Sequence, residues 1–293
     1  MTIALIVHGG AGNYPPEQRC SAQEGCRAGL LVGWQLLQNN GSALDAVEAA
    51  VRALEDDPQF NAGTGSYLTR EGNIEMDAGI MDGEMLRVGS VAGVELIKNP
   101  IVLARKVLES PHVLLIGRGA QLFALEHGMS LCTREDLLTE RTYTRWQQKR
   151  VVLMQEPEQK YGTVGAVAVD SVGHLAAATS TGGTMNKYPG RVGDSPLVGC
   201  GFYADKCAAI SCTGYGEDFI RLLIAKRAAE YVAQGLSAQS AADEALAFLG
   251  MHTTQTGGLI VVDAQGNIGF AKSRQHMPYA AMSSEMVEPE MGI

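Results

Sequence analysis

The sequence predicts an α+β fold in which antiparallel sheets pack together beneath covering helices. Strand-like segments occur as consecutive hairpins and helix-like segments occur in pairs. That segregation argues against the alternating order of a parallel βαβ sheet. No internal repeat of about 20–50 residues interrupts the pattern. With 293 residues, 46% hydrophobic and 19% charged, the chain has the composition of a globular protein, which excludes intrinsic disorder.

Ile3–Val7 reads as a first strand that runs into the loop His8-Gly9-Gly10-Ala11-Gly12. Pro15-Pro16 opens a helix, carried by Ala28, Leu31, Leu36 and Leu37 at near-helical spacing and stopped by Asn39-Asn40-Gly41. Ser42-Ala43-Leu44-Asp45 has the form of a capping box with aspartate in the usual glutamate position. It starts a second helix through Leu54, which Asp57-Pro58 ends. Tyr67–Thr69 and Asn73–Met76 flank Arg70-Glu71-Gly72 as a hairpin, and Val88–Val94 is another strand. Pro100 begins a helix to Leu108, Val113–Ile116 is a strand, and Gln121–Glu126 is a helix closed by Gly128. Residues 133–160 are charged and polar, with a helix expected over the first half and an exposed linker over the second. The pattern then turns to small and β-branched residues. Thr163–Val169 and Leu175–Thr179 form an alternating hairpin around the turn at 170–173. Ala208–Cys212 is a further strand, Phe219–Gln234 and Ser237–Phe248 are helices, and Leu259–Val262 with Ile268–Ala271 is the last hairpin.

The 23 Lys and Arg against 32 Asp and Glu give a net charge of −9 with no basic stripe, which argues against nucleic acid and anionic membrane as partners. Apolar runs such as Gly165–Val169 and Leu259–Val262 fall far short of the roughly 20 residues of a membrane helix. The apolar start lacks the basic region and length of a signal peptide. The six cysteines form no CxxC and stand at no zinc spacing, so reduced thiols and a cytoplasmic location are expected. Among the 293 residues 35 are glycine, about 12% against a usual 7% or so, as loops at sheet ends require.

Several chemistries are absent. There is no GxSxG elbow, no Walker A loop and no histidine pair at metal spacing, and Gly63-Thr64-Gly65 does not extend to a dinucleotide fingerprint. What remains is a cluster of hydroxyls in the second half. It comprises Gly162-Thr163-Val164-Gly165-Ala166-Val167, Thr179-Ser180-Thr181-Gly182-Gly183, the segment Gly190 to Pro196, and Ser211 to Glu217. Each piece alone reads as a threonine-rich strand with glycine turns. Together they are harder to dismiss, because Arg191 and Asp194 sit in a glycine-rich loop where neither supports a core. A strand that begins at Thr163 also follows a polar linker ending in glycine. A threonine at a chain terminus supplies nucleophile and base at once, since a free α-amine has a pKa of about 7.7–8.0.

These segments, with His8-Gly9-Gly10-Ala11-Gly12 and Phe60-Asn61-Ala62-Gly63, stand in the order found in plant-type asparaginase/isoaspartyl peptidases. The chain resembles that family of N-terminal-nucleophile hydrolases from about Ile3 to Tyr279. The resemblance implies a single four-layer αββα sandwich and self-cleavage before Thr163. The α chain would be 1–162 and the β chain 163–293, with two αβ units forming a dimer. By similarity Thr163 is the nucleophile, Thr181 orients it, and Thr213 and Gly214 form the oxyanion hole. Arg191 takes the substrate α-carboxylate, Asp194 takes its α-ammonium, and Gly216 makes backbone contact beside it. Asn61 helps to place the scissile region. The carbonyls of Leu54, Glu55, Asp57, Phe60, Ala62 and Thr64 match the family's sodium loop, no organic cofactor is implied, and the Gly9–Gly12 loop is expected to gate the site. The implied substrates are L-asparagine and β-aspartyl dipeptides. Glycosylasparaginase, threonine endopeptidase and a silent metabolite-binding relative are the alternatives. The missing signal peptide argues against the first, the Arg191/Asp194 pair against the second, and the joint presence of Thr163, Thr181, Thr213 and Arg191 against the third.

Overall fold

The computed structural model describes residues 2–151, 162–273 and 276–293. Its larger sheet has eight strands. In sheet order they are β12 (Glu290–Gly292), β11 (Tyr279–Ser283), β1 (Ala4–His8), β5 (Thr163–Val169), β6 (Leu175–Thr181), β2 (Met76–Asp82), β3 (Arg87–Val94) and β4 (Leu114–Ile116). All neighbours are antiparallel except β3 and β4. The smaller sheet runs β10 (Ile268–Lys272), β9 (Gly257–Asp263), β8 (Ala208–Gly214), β7 (Phe202–Ala204), antiparallel throughout.

Side-chain alternation assigns each face. On β5 and β6 the even-numbered Val164, Ala166, Ala168, Ala176 and Ala178 join a core with α1 (Pro16–Gln38), α2 (Ala43–Asp56) and α3 (Pro100–Leu108). The odd-numbered Val167, Val169, Leu175 and Ala177 join a second core with Ala209, Ile260 and Phe202 of the small sheet. A third core packs Ala208, Ile210 and Cys212 of β8 against α8 (Ile224–Ala233) and α9 (Ala238–His252). All strands of the central hairpin are therefore buried on both faces.

Several elements differ from the sequence reading. The buried stripe of α1 consists of Ala22, Gly25, Cys26, Gly29, Leu30, Gly33, Trp34 and Leu37, whereas Ala28 and Leu31 are exposed. Three glycines share that face with Leu30 and Leu37, and they let α2 lie close: a Cβ on Gly33 would sit 2.6 Å from the Ala46 carbonyl oxygen. Ser42 caps α2 by accepting from the Asp45 N–H at 3.1 Å, but the Asp45 carboxylate turns to Arg105 at 2.9 Å, so the box is half formed. The expected hairpin over Tyr67–Met76 is reduced to one bridge, Leu68 to Ile74, because β2 pairs instead with β3 and β6. The helix expected over Phe219–Gln234 begins earlier and breaks at Leu223, which takes φ +53° and separates α7 (Gly216–Leu222) from α8. Strands β7, β11 and β12 have no counterpart in the sequence reading. The short α4 (Gly117–Glu126) and α5 (Arg134–Leu137) precede α6 (Glu140–Val151), which fulfils the helix expected in the first half of 133–160. α6 runs on through Val151, into the half where an exposed linker was expected, and the rest of that linker falls outside the described residues. Among the described residues no helix is long and apolar enough to cross a membrane.

Candidate active site

The same alternation places hydroxyls. Thr163, Thr179 and Thr181 share the parity of Val167 and Ala177, and Ser211 and Thr213 share the parity of Ala209. All five therefore lie between the sheets. Cys212 turns the other way into the third core and is fully buried, and burial raises its thiol pKa well above the ordinary range. All six cysteines are free thiols, in keeping with the expectation of no disulfide.

Thr163 opens β5 directly opposite Thr181 on β6. Its hydroxyl donates to the Thr181 hydroxyl at 3.2 Å, and the Gly183 N–H donates to the same Thr181 oxygen at 3.0 Å. One cleft, with an empty volume of about 250 Å³, is lined by Gly162, Thr163, Thr181, Arg191 and Asp194 together with Gly214 and Gly216. Gly216 separates the two charged residues. A Cβ there would stand 2.9 Å from Arg191 Nη2 and 3.0 Å from Asp194 Oδ1, so glycine keeps open the space between guanidinium and carboxylate.

Thr213 is fully buried beside this cleft, and its hydroxyl accepts the Ala11 N–H at 2.9 Å while keeping its own hydrogen to donate. Asn61 lies one step away. Its side-chain amide donates to the Gly183 carbonyl at 2.6 Å and accepts the Tyr67 N–H at 2.8 Å, so it fixes the strand exit behind Thr181. The loop expected to gate the site is pinned. Gly9 N donates to Pro278 O at 2.8 Å, Ala11 N to Thr213, and Gly12 N to His276 O at 2.8 Å. It forms a fixed wall against the Gly162–Thr163 bond.

Arg191 is already engaged. Its Nε and Nη2 donate to the two carboxylate oxygens of Glu217 at 2.9 and 2.7 Å, leaving Nη1 beside Gly193. Burial would raise the Glu217 carboxyl pKa, but the Arg191 hydrogen bonds and charge hold it below the usual range. Burial raises Asp194 to about 7 despite the opposing Arg191 charge, and Asp194 Oδ2 has no hydrogen-bond partner among the described residues. An unpaired buried carboxylate oxygen facing a cleft is poised for a cationic ligand.

Sequence reasoning missed the supports of this loop. The Glu75 carboxylate accepts the Gly190 N–H at 2.8 Å, Asp77 accepts the Gly93 N–H at 2.8 Å and the Gly193 N–H at 3.5 Å, and Lys187 Nζ donates to the Glu75 carbonyl at 2.6 Å. Asp77 faces Thr181 in register. Only folding brings these residues beside Gly190 and Gly193. Glu217 was visible as an acid beside the Thr213-Gly214 motif, but nothing local marked it as the partner of Arg191.

His8 ends β1 beneath Thr163. Its Nε2 meets Ser211 Oγ at 3.0 Å, and Ser211 Oγ meets Thr179 Oγ1 at 2.7 Å. Burial lowers His8 to about 3, so the imidazole stays neutral and serves the floor of the site, not as an ionisable base. On the helix side Ser180 donates to Glu55 Oε1 at 2.6 Å, and the Ile101 N–H donates to the same oxygen at 2.9 Å. Burial raises Glu55 to about 8 from an ordinary 4.5. Between those values the folded protein holds a proton that the unfolded chain releases, so this group's contribution to stability is lost as pH rises through about 8. A Glu55→Gln variant is expected to lack that decline. Its melting temperature relative to wild type should rise between pH 4.5 and about 8 and level off above that, and parallel curves would refute the buried, proton-holding carboxyl.

The carbonyls expected to hold sodium lie in the last turn of α2 and in the turn that follows it. Those of Leu54, Glu55 and Asp57 accept N–H groups of Asp57, Thr64 and Phe60 at 3.3, 2.8 and 3.2 Å, each keeping a lone pair. A Cβ on Gly65 would meet the Pro58 and Phe60 oxygens at 2.7 and 2.8 Å, and one on Gly63 the Glu55 oxygen at 2.5 Å. The two glycines thus leave open spaces against carbonyl oxygens, a donor set that fits a small hard cation.

Comparison with known proteins gives a consistent picture. Residues 1–293 match a family described as Asparaginase. The chain is 48% identical over 309 residues to the plant-type L-asparaginase of Thermococcus kodakarensis, covering 99% of each chain. It is 47% identical to the plant-type L-asparaginase of Pyrococcus abyssi, covering 99% of this chain and all of that one. It is 43% identical to the isoaspartyl peptidase/L-asparaginase of Rattus norvegicus, over 97% of this chain and 87% of that one.

Proposed function

Since the chain belongs to the asparaginase family, we propose that it is a threonine amidohydrolase that cuts itself between Gly162 and Thr163. The mature enzyme then hydrolyses β-aspartyl dipeptides and L-asparagine through an acyl-enzyme. The observation that carries this reading is the Thr163–Thr181 hydroxyl pair at 3.2 Å in one cleft with Arg191 and Asp194.

In processing, the Thr163 hydroxyl attacks the Gly162 carbonyl and the C–N bond breaks, so the amide becomes an ester and the Thr163 α-amine is freed; water then opens the ester, releasing the Thr163 hydroxyl and the Gly162 carboxylate. In turnover that amine takes the hydroxyl proton, and the oxygen adds to the side-chain carbonyl of the aspartyl group. The Thr213 hydroxyl and the Gly214 N–H face the developing oxyanion, where each donor is worth about 10²–10³ in rate. The amine then protonates the leaving group, and water releases aspartate. Asp194 Oδ2 receives the substrate ammonium, and Nη1 of Arg191 receives the α-carboxylate. Thr181 and Asn61 position Thr163, and Gly216 keeps the head-group space clear.

The stacked cores support one αββα sandwich of the N-terminal-nucleophile type, and we read the mature enzyme as a cytoplasmic dimer of αβ units. The carbonyls of Leu54, Glu55, Asp57, Phe60, Ala62 and Thr64 would hold a sodium ion, which braces the turn leading to Asn61.

Mass spectrometry and an aspartate-release assay test the proposal. Purified protein should give two fragments divided before Thr163 and should release aspartate from β-aspartyl dipeptides. A chain that stays intact and inactive after long incubation overturns it. Gly10 supplies a finer check. It has φ +98°, and a Cβ there would lie 2.6 Å from Thr163 N and 2.7 Å from Gly162 Cα. Gly10→Ala should slow the appearance of the two fragments by at least about tenfold in a gel time course, the scale of an ångström-level misplacement at a reacting bond.

A further inference from the structure

A second cleft, with an empty volume of about 350 Å³, adjoins the first across Gly162, which lines both. Its walls include Tyr14, Asn61, Tyr67, Arg141 and Arg145. Arg141 and Arg145 are four residues apart on α6 and so project from one face of that helix. Arg141 Nη2 donates to the Pro58 carbonyl at 2.7 Å. Asp57 is the carboxylate whose charge reaches Arg141, but its oxygens already accept Gln59 N at 3.0 Å and Gln59 Nε2 at 3.4 Å. No carboxylate is among the described residues that line the cleft. Burial lowers the Arg141 pKa, and the neighbouring Arg145 charge lowers it further. Two guanidinium groups held close together in a half-buried cleft raise the local potential and favour an anion between them.

The proposed reaction determines which anion reaches this place. A β-aspartyl dipeptide carries two carboxylates, one on the aspartyl head and one on the amino acid that leaves. With the head held at Arg191 and Asp194 and the scissile carbonyl at Thr163, the leaving amine lies on the Gly162 side, toward the second cleft. We infer that Arg141 and Arg145 form a subsite for the α-carboxylate of the departing amino acid, and so favour dipeptides over L-asparagine, whose leaving group is ammonia. This inference rests on the amidohydrolase reading above.

The test uses fully processed enzyme with β-aspartyl-alanine, its C-terminal amide and L-asparagine. In wild type the amide should be cleaved with a kcat/KM at least about tenfold below that of the free acid, the scale of one lost charged hydrogen bond. In Arg145→Gln the ratio of kcat/KM for β-aspartyl-alanine to that for L-asparagine should fall by a similar factor. Arg141→Gln should do the same, and Arg145 is the cleaner probe because Arg141 also holds Pro58. Equal rates on acid and amide, or a ratio that Arg145→Gln leaves unmoved, overturn the subsite. A uniform rise on all three substrates also overturns it, because the cleft then holds the freed Gly162 carboxylate. No turnover of any of the three substrates by wild type overturns the amidohydrolase reading and the subsite with it.

Discussion

Thr163→Ala should remain one polypeptide of 293 residues and release no aspartate from any substrate. The expected loss is about 10⁶-fold, the scale found when a covalent nucleophile is removed. The methyl side chain keeps the strand pairing with Thr181, because the ladder bonds of β5 and β6 are main-chain bonds. The substitution removes only one hydroxyl and one methyl group, so the cavity is small and the fold should survive. Mass spectrometry and circular dichroism on the same sample separate lost chemistry from lost structure. A cut before residue 163 in this variant would remove the nucleophile assignment altogether.

Arg191→Ala should divide the two reactions. Self-cleavage uses no substrate head group, so the variant should still yield two fragments. Turnover should fall roughly 10- to 100-fold in kcat/KM, mostly through KM, because a charged hydrogen bond is worth about 1.5–3 kcal/mol. The freed Glu217 side chain is 45% exposed and can be solvated by water, so the substitution leaves no buried unpaired charge on that side. If processing fails together with turnover, Arg191 has a structural duty that its place in the substrate cleft does not explain.

The reach of the sequence follows from which forces act locally. Alternation along Thr163–Val169 and the polar segment before it placed the central hairpin, and its threonines then had to face the second sheet. The helices opened by Pro16, Ala43 and Pro100 were marked by proline and capping residues, and the structure keeps them. Three things escaped. The packed face of α1 includes three glycines, which carry no hydropathy signal. The helix break sits at a leucine in a left-handed conformation, which no turn residue announces. Strand β11 is stable because β1 lies beside it, a pairing made across most of the chain, and β12 then adds to the edge of β11. For the same reason Glu75, Asp77, Lys187 and Glu217 were unreadable: their partners are assembled only by the fold. The family resemblance itself was legible and is borne out by full-length similarity.

If the chain divides before Thr163 as proposed, its two pieces share one sheet. Reading across the large sheet, β12 and β11 come from the second piece, β1 from the first, β5 and β6 from the second, and β2, β3 and β4 from the first. The pieces are interlaced like fingers of two hands. Nicking the backbone therefore frees nothing: the halves should co-purify, melt in one transition, and part only when the sheet is torn open by denaturant. Mixing separately expressed halves should restore little, because neither can complete a ladder before the other has threaded it.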